Sequence, residues 1–165
     1  MLEKLKHGSV IPQKMGKVKP LAEVVKIASE AKKKGLKIVT TNGCFDLFHI
    51  GHAKSLQKAK SYGDLLIVGV NSDQSVQINK GPGRPIIPAK ERAEVIASMA
   101  VVDYVFIFNE KTADAWIEKI KPNIHIKGAD RKLNEVMEKN TIEKNGGEII
   151  FTPYIKSTTD IIKKI

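Results

Sequence analysis

The stretch from Lys37 to His52, KIVTTNGCFDLFHIGH, constrains the fold more than any other part of this chain. Ile38, Val39, Thr40 and Thr41 are β-branched, and Asn42 and Gly43 then break the run. That pattern predicts a buried parallel strand ending in a tight turn, followed at once by a helix. In open α/β sheets ligands bind at the carboxyl edge of the strands, and the start of the next helix offers unpaired amides and a dipole that favour anions. His49 and His52 are spaced i and i+3, so both fall on one face of the first turn and can point at one phosphate. Gly51 between them leaves room for a nucleotide to approach, and Phe45 reads as a packing residue.

Gly43-Cys44-Phe45-Asp46 followed by His49-Ile50-Gly51-His52 resembles the paired signature of the cytidylyltransferase-like nucleotidyltransferases, in which the HxGH histidines sit on the nucleotide phosphates. HxGH alone is a weak signal. Its position directly after a strand, a glycine turn and GCFD makes the combination specific. The residue types suit the chemistry: nucleotidyl transfer is an in-line attack on the α-phosphorus, so catalysis rests on positioning and on stabilising charge at the phosphoryl oxygens. Histidine donates hydrogen bonds and can carry charge near neutral pH. Cys44, the only cysteine, has no base placed to activate it and is expected to be a small buried residue.

The chain of 165 residues is long enough to bury one core, and 42% hydrophobic content with dispersed charge argues a globular domain. A lone cysteine excludes an intramolecular disulfide. No apolar run of ~18 residues and no signal-peptide pattern occurs, so no membrane partner is expected and a cytoplasmic location is the default. A net charge of +10 raises the question of nucleic acid. The excess is lysine, in solvated runs such as Lys32-Lys33-Lys34, without the aromatic interleaving of single-strand binding platforms. The reading is therefore no nucleic acid, with the basic surface steering small anionic substrates. Only Arg84, Arg92 and Arg131 interrupt the lysines, which hints at sites needing a planar bidentate fork.

Taken in order, residues 1–19 form an N-terminal arm that packs on the domain or on a partner subunit, and 20–165 form the domain. Pro20 opens a helix with a Leu21, Val24, Val25, Ala28 stripe closed by Gly35. Ala53, Leu56 and Ala59 face the sheet, and Asp64 to Val70 is a second buried strand, completing a right-handed βαβ unit. Asn71, Ser72 and Asp73 serve either as a turn and helix cap or as substrate contacts. Asn79 to Ile87, NKGPGRPII, reads as a shaped loop presenting Lys80 and Arg84 to a phosphate. Pro88 starts a helix whose Arg92 reaches the ligand edge while Val95, Ile96 and Met99 pack inward.

Val101 to Phe108 is a third strand, and Trp116, Ile117 and Ile120 are the core stripe of a helix stopped by Pro122. Asn123 to Lys127 is a fourth strand, whose end brings Lys127, Gly128, Ala129 and Asp130 to the same edge. His125, alternating with isoleucines, is a core or dimer-side histidine. Val136 and Met137 anchor a further helix, Glu148 to Thr152 is the fifth strand, and Ser157-Thr158-Thr159 can cap a helix or bind phosphate. The fold class is thus α/β: a Rossmann-like open parallel sheet of five strands with helices on both faces.

The finer resemblance rests on Val70-Asn71-Ser72-Asp73, Lys80, Gly83-Arg84-Pro85, the Arg92 helix, Val102-Asp103 and Lys127-Gly128-Ala129-Asp130. These residues are similar to the adenylyltransferase domain of the bacterial ADP-heptose pathway. The resemblance implies transfer of AMP from ATP to D-glycero-D-manno-heptose 1-phosphate, a sugar 1-phosphate, giving ADP-heptose and pyrophosphate for lipopolysaccharide assembly. It also implies a homodimer and Mg²⁺ held mainly by the nucleotide phosphates rather than by side chains. His49, His52 and Lys80 would be catalytic. Asn42, Gly43, Cys44, Phe45, Asp46, Gly51, Lys127, Gly128, Asp130, Ser157, Thr158 and Thr159 would bind nucleotide, and Lys80, Arg84 and Arg92 substrate phosphate. The alternatives are a cytidylyltransferase of a phosphorylated alcohol such as glycerol 3-phosphate and a non-catalytic nucleotide or RNA binder. Thr152 to Lys156 lacks the Arg-Thr pair of the glycerol-phosphate enzymes, and the glycine usual just before the STT segment is missing.

Overall fold

The computed structural model describes residues 16–128, 136–153, 155 and 157–164. Five parallel strands, β1 (Ile38–Gly43), β2 (Leu65–Asn71), β3 (Tyr104–Phe108), β4 (Ile124–Gly128) and β5 (Glu148–Thr152), pair in the order β3-β2-β1-β4-β5. Side chains alternate across a strand, so neighbouring residues feed opposite faces. Ile38 joins one apolar cluster and Val39 the other.

The first cluster gathers α1 (Leu21–Lys33), α5 (Asp114–Ile120) and α6 (Lys139–Lys144) through Val24, Ala28, Trp116, Ile117 and Ile142. The second gathers α2 (Ile50–Lys60) and α4 (Ala89–Ser98) through Leu56, Ala59, Ala93 and Ile96. The expected Rossmann-like sheet with helices on both faces is what the chain forms. The chain runs outward from β1 to β3, then returns to β4 on the other side of β1. The carboxyl ends of β1 and β4 therefore form the topological switch point, where a crevice opens.

Several local expectations are corrected or narrowed. Val95 is 43% exposed, because α4 presents only Ala89, Arg92, Ala93 and Ile96 as its buried set. Asn79 and Lys80 belong to the last turn of α3 (Asp73–Lys80), which Ser72 caps by accepting the Ser75 N–H at 3.1 Å, so only the segment from Gly81 is loop. Val136 and Met137 precede α6 instead of anchoring it; its core contact is Ile142. His125 is fully buried in the core, its Nδ1 2.8 Å from the Thr40 hydroxyl, and burial, reinforced by the nearby Lys127 charge, lowers its pKa well below the usual value. Of the N-terminal arm, residues 1–15 lie outside the described residues. Its end packs on the domain: Val18 forms a parallel bridge with Val105, with Lys19 N–H donating to the Val105 carbonyl and Val105 N–H to that of Lys17.

Candidate active site

A cavity of about 440 Å³ opens at the switch point. The ends of four strands floor it, through Thr41, Asn42 and Gly43 of β1, Asn71 of β2, Lys127 and Gly128 of β4, and Thr152 of β5. The site thus assembles itself from the places where apolar strands give way to polar residues.

His49 is the N-cap of α2, its Nδ1 accepting the Gly51 N–H at 3.1 Å. A ring nitrogen that accepts carries no proton, so the neutral His49 ring holds its hydrogen on Nε2. The His52 ring stacks on that of His49 with 3.8 Å between centroids and 23° between planes, and Phe45 and Phe48 pack beside it at 5.2 and 5.6 Å. His52 lines the cavity, whereas His49 stands behind it. Burial, and then the neighbouring His49, lower the His52 pKa to about 4. The expectation of charge near neutral pH is therefore corrected for His52: without a ligand this imidazole is neutral and acts as a hydrogen-bonding group.

Phe45 and Leu47 both take left-handed backbone angles (φ 48° and 30°), which turn the chain sharply between β1 and α2. Asp46, buried in that turn, does not line the cavity. Its carboxylate accepts Arg84 Nε at 2.7 Å and the backbone N–H groups of Ile86 and Ile87 at 2.9–3.0 Å. Burial opposes its ionisation, but these donors outweigh it and hold its pKa below the usual value. Asp46 shapes the pocket by pinning the loop that carries Arg84.

Arg92 is corrected more sharply. It is 1% exposed and absent from the cavity wall. Its guanidinium donates to the carbonyls of Ile87 (2.8 Å) and Cys44 and to Asp73 Oδ1 (2.7 Å). Every contact is internal, so Arg92 ties the GCFD turn, the loop after α3 and the start of α3 together. Ser72 and Asp73 likewise serve as cap and ion-pair partner, and of that trio only Asn71 reaches the cavity.

Cys44 is half-buried on the cavity wall, not sealed in the core. Burial raises its thiol pKa against the pull of Lys80, Arg92 and Arg84, which keeps it protonated. The structure brings Asn42, Gly43, Phe45, Gly51, Lys80, Arg84, Lys127, Gly128, Ser157, Thr158 and Thr159 to the same wall. Asp130 lies outside the described residues. Ser157 closes a capping box with Asp160 at the head of α7 (Thr158–Ile162), with hydrogen bonds of 3.0 and 3.1 Å.

Sequence reasoning missed Lys111, Ser55, Thr152 and Glu138 on this wall. Lys111 stands three residues beyond the end of β3, at the same edge as the other candidates, and that position was its available signal. Ser55 and Thr152 pair through their hydroxyls at 3.0 Å, across α2 and β5, a contact that only the fold creates.

The family model described as cytidylyltransferase-like matches residues 40–164. The bifunctional protein HldE of Geobacter metallireducens is 47% identical over 151 residues, 90% of this chain and 31% of that protein. That of Geotalea uraniireducens is 44% identical over 160 residues, 96% of this chain and 33% of that protein. The chain thus spans about a third of the length of the curated relatives it matches. Among solved structures, the lipopolysaccharide core biosynthesis protein from Thermoplasma volcanium superposes with a TM-score of 0.62 at 29% identity, over 74% of this chain and 99% of that one. Pantoate-beta-alanine ligase from Francisella tularensis, complexed with beta-gamma ATP and beta-alanine, shares the fold at a TM-score of 0.61 and 19% identity, over 86% of this chain and 68% of that one. Matched over three quarters of its length, with its glycine turn and histidine pair set at the switch point of a parallel sheet, the chain belongs to the cytidylyltransferase-like family.

Proposed function

We propose that this chain is a nucleotidyltransferase that moves AMP from ATP to D-glycero-D-manno-heptose 1-phosphate, releasing pyrophosphate and ADP-heptose. The observation that carries this reading is the 47% identity to a bifunctional HldE protein across 90% of the chain. The likeness to a protein of lipopolysaccharide core biosynthesis favours a sugar phosphate over a phosphorylated alcohol as acceptor.

An oxygen of the sugar phosphate attacks the α-phosphorus and forms the new P–O bond. The bond from that phosphorus to the bridging oxygen breaks, and its electron pair leaves with pyrophosphate. His52 donates a hydrogen bond to the phosphate oxygens as charge shifts across them, backed by the stacked His49. Lys80 and Arg84 hold the two anionic partners in line. The hydroxyls and amides at Ser157, Thr158 and Thr159 receive the β- and γ-phosphates.

Among the described residues no cluster of three or more His, Cys, Asp or Glu could hold a metal. Among the described residues the cavity wall carries one carboxylate, Glu138, which is paired with Lys127 at 3.2 Å. These groups fit Mg²⁺ that arrives on the triphosphate, neutralising its charge, better than a resident ion. No helix among the described residues is long and apolar enough to cross a membrane. We place the enzyme in the cytoplasm as a homodimer.

The test is pyrophosphate release with Mg²⁺ over a grid of ATP or CTP against heptose 1-phosphate or glycerol 3-phosphate. Release confined to ATP with heptose 1-phosphate is the expected result. Release with CTP and glycerol 3-phosphate would replace the substrate assignment, and silence in every well would leave a binding module.

A further inference from the structure

Glu138 is a buried acid on the wall of a cavity otherwise furnished for anions. The cavity wall carries Lys80, Arg84, Lys111 and Lys127, and Glu138 is 5% exposed among them. A carboxylate in such a place repels the very ligand the cations attract, and its burial costs free energy unless donors meet it. Two do: Lys127 Nζ at 3.2 Å and the Ala113 N–H at 3.3 Å, both on Oε1.

Lys127 ends β4, and its ammonium also donates to Asn42 Oδ1 of β1 at 3.0 Å. The lysine side chain is only 12% exposed, so its flexible stem is confined between the floor of the cavity and Glu138. Ala113 closes the β3–α5 turn that contains Lys111, and that turn is held on its other side by Ser75 Oγ, which donates to the Glu110 carbonyl at 2.9 Å. One carboxylate therefore ties together the segments that carry Lys111 and Lys127.

We propose that Glu138 is a positioning residue: it fixes the Lys127 ammonium at the β1–β4 edge of the cavity in the place a nucleotide needs it. This rests on the nucleotidyltransferase reading for the location of the nucleotide. Glu138 acts on the ligand through Lys127. A lysine carries a compact charge on a stem with many rotamers, and a second fixed partner removes that freedom before the ligand arrives.

The test is a double-mutant cycle on the full chain, read as Mg-ATP affinity by titration calorimetry. Glu138→Ala is expected to weaken binding ~10-fold, since it removes a fixed acceptor that holds the ammonium in place. In the presence of Lys127→Ala it is expected to weaken it no further, because coupled residues do not add. In turnover assays Glu138→Ala should raise the KM for ATP with kcat within ~2-fold, the mark of lost binding common to ground and transition states. Losses that multiply in the double variant would overturn the inference and leave Glu138 as scaffold. Glu138→Gln keeps the side-chain shape and an acceptor for Ala113, so it keeps the test open should the Ala variant fail to fold. Its effect on affinity should likewise depend on Lys127, and an equal effect in both backgrounds would also overturn the inference. Absence of nucleotide binding by the unmodified chain would instead strike down the functional reading, and this inference with it.

Discussion

The rings of His49 and His52 lie face to face, 3.8 Å apart, and only one of them reaches the cavity. Burial first, and then the neighbouring His49, hold His52 as a neutral donor. An arriving phosphate reverses the balance, since an adjacent anion favours the charged form. The His52 resonance in a proton NMR titration should therefore move from an apparent pKa of about 4 toward higher pH when Mg-ATP is added. His52→Ala should lower kcat by ~10²–10³ while leaving the circular dichroism spectrum unchanged, as removal of one oxyanion donor does elsewhere.

The same depressed pKa makes stability depend on pH. Unfolded, His52 titrates near 6.5; folded, near 4. Between those values the unfolded chain binds more protons, so stability is full above pH ~6.5 and is lost as pH falls toward ~4. The His52 contribution is on the order of 3 kcal/mol. Buried His125 acts in the same direction. Urea midpoints at about pH 7 and about pH 4.5 should differ accordingly. His52→Asn should narrow that difference, and an unchanged gap would show that His52 is not the group responsible.

Arg92 and Arg84 separate structure from chemistry. Arg92→Ala leaves two carbonyls without their buried donor and half-exposed Asp73 with the Ala89 N–H alone, and should cost about 2–4 kcal/mol in urea unfolding. Arg84→Ala leaves buried Asp46 with its two backbone donors and should cost about 1.5–3 kcal/mol. Turnover should fall in both. Only in the Arg84 variant should it fall with the fold intact, and a stable but inactive Arg92→Ala protein would return that residue to the substrate side.

Adjacent glycines before β5 should respond to opposite substitutions. A Cβ at Gly147 would stand 2.5 Å from the Pro122 carbonyl oxygen and 3.1 Å from Ile142 Cγ2, so Gly147→Ala forces backbone apart and should cost ~2 kcal/mol or more. Gly146 has open space around it but a φ of 77°. Asparagine tolerates that angle, and Gly146→Asn should change the thermal midpoint little.

Strands were legible because their signal is local: apolar, β-branched runs bounded by turn residues place β2 and β5 within a residue of where they lie, while β1 runs on through the Asn42 and Gly43 expected to break it. The glycine turn and the histidine pair were legible for the same reason. The division of labour among charged residues was not. Arg84 and Arg92 look alike in sequence, yet Asp46 and Asp73, distant in the chain, decide that one faces the cavity and the other the interior. Glu138 was invisible because its importance comes from Lys127 and Ala113, which only the sheet order brings near. The lowered pKa of His52 was not legible, because burial is a property of packing, which no spacing reveals.

The short pairing of Lys17 to Lys19 with Val105 has a bearing on handling the protein. β3 ends the sheet, and an end strand with bare N–H and C=O groups is an invitation to other chains. By occupying Val105 on both its donor and acceptor sides, these few residues act as a seam along that margin. A version trimmed to begin at Pro20, the start suggested by helical periodicity, would keep every cavity residue and lose the seam, leaving that margin open for copies of the chain to stick to one another.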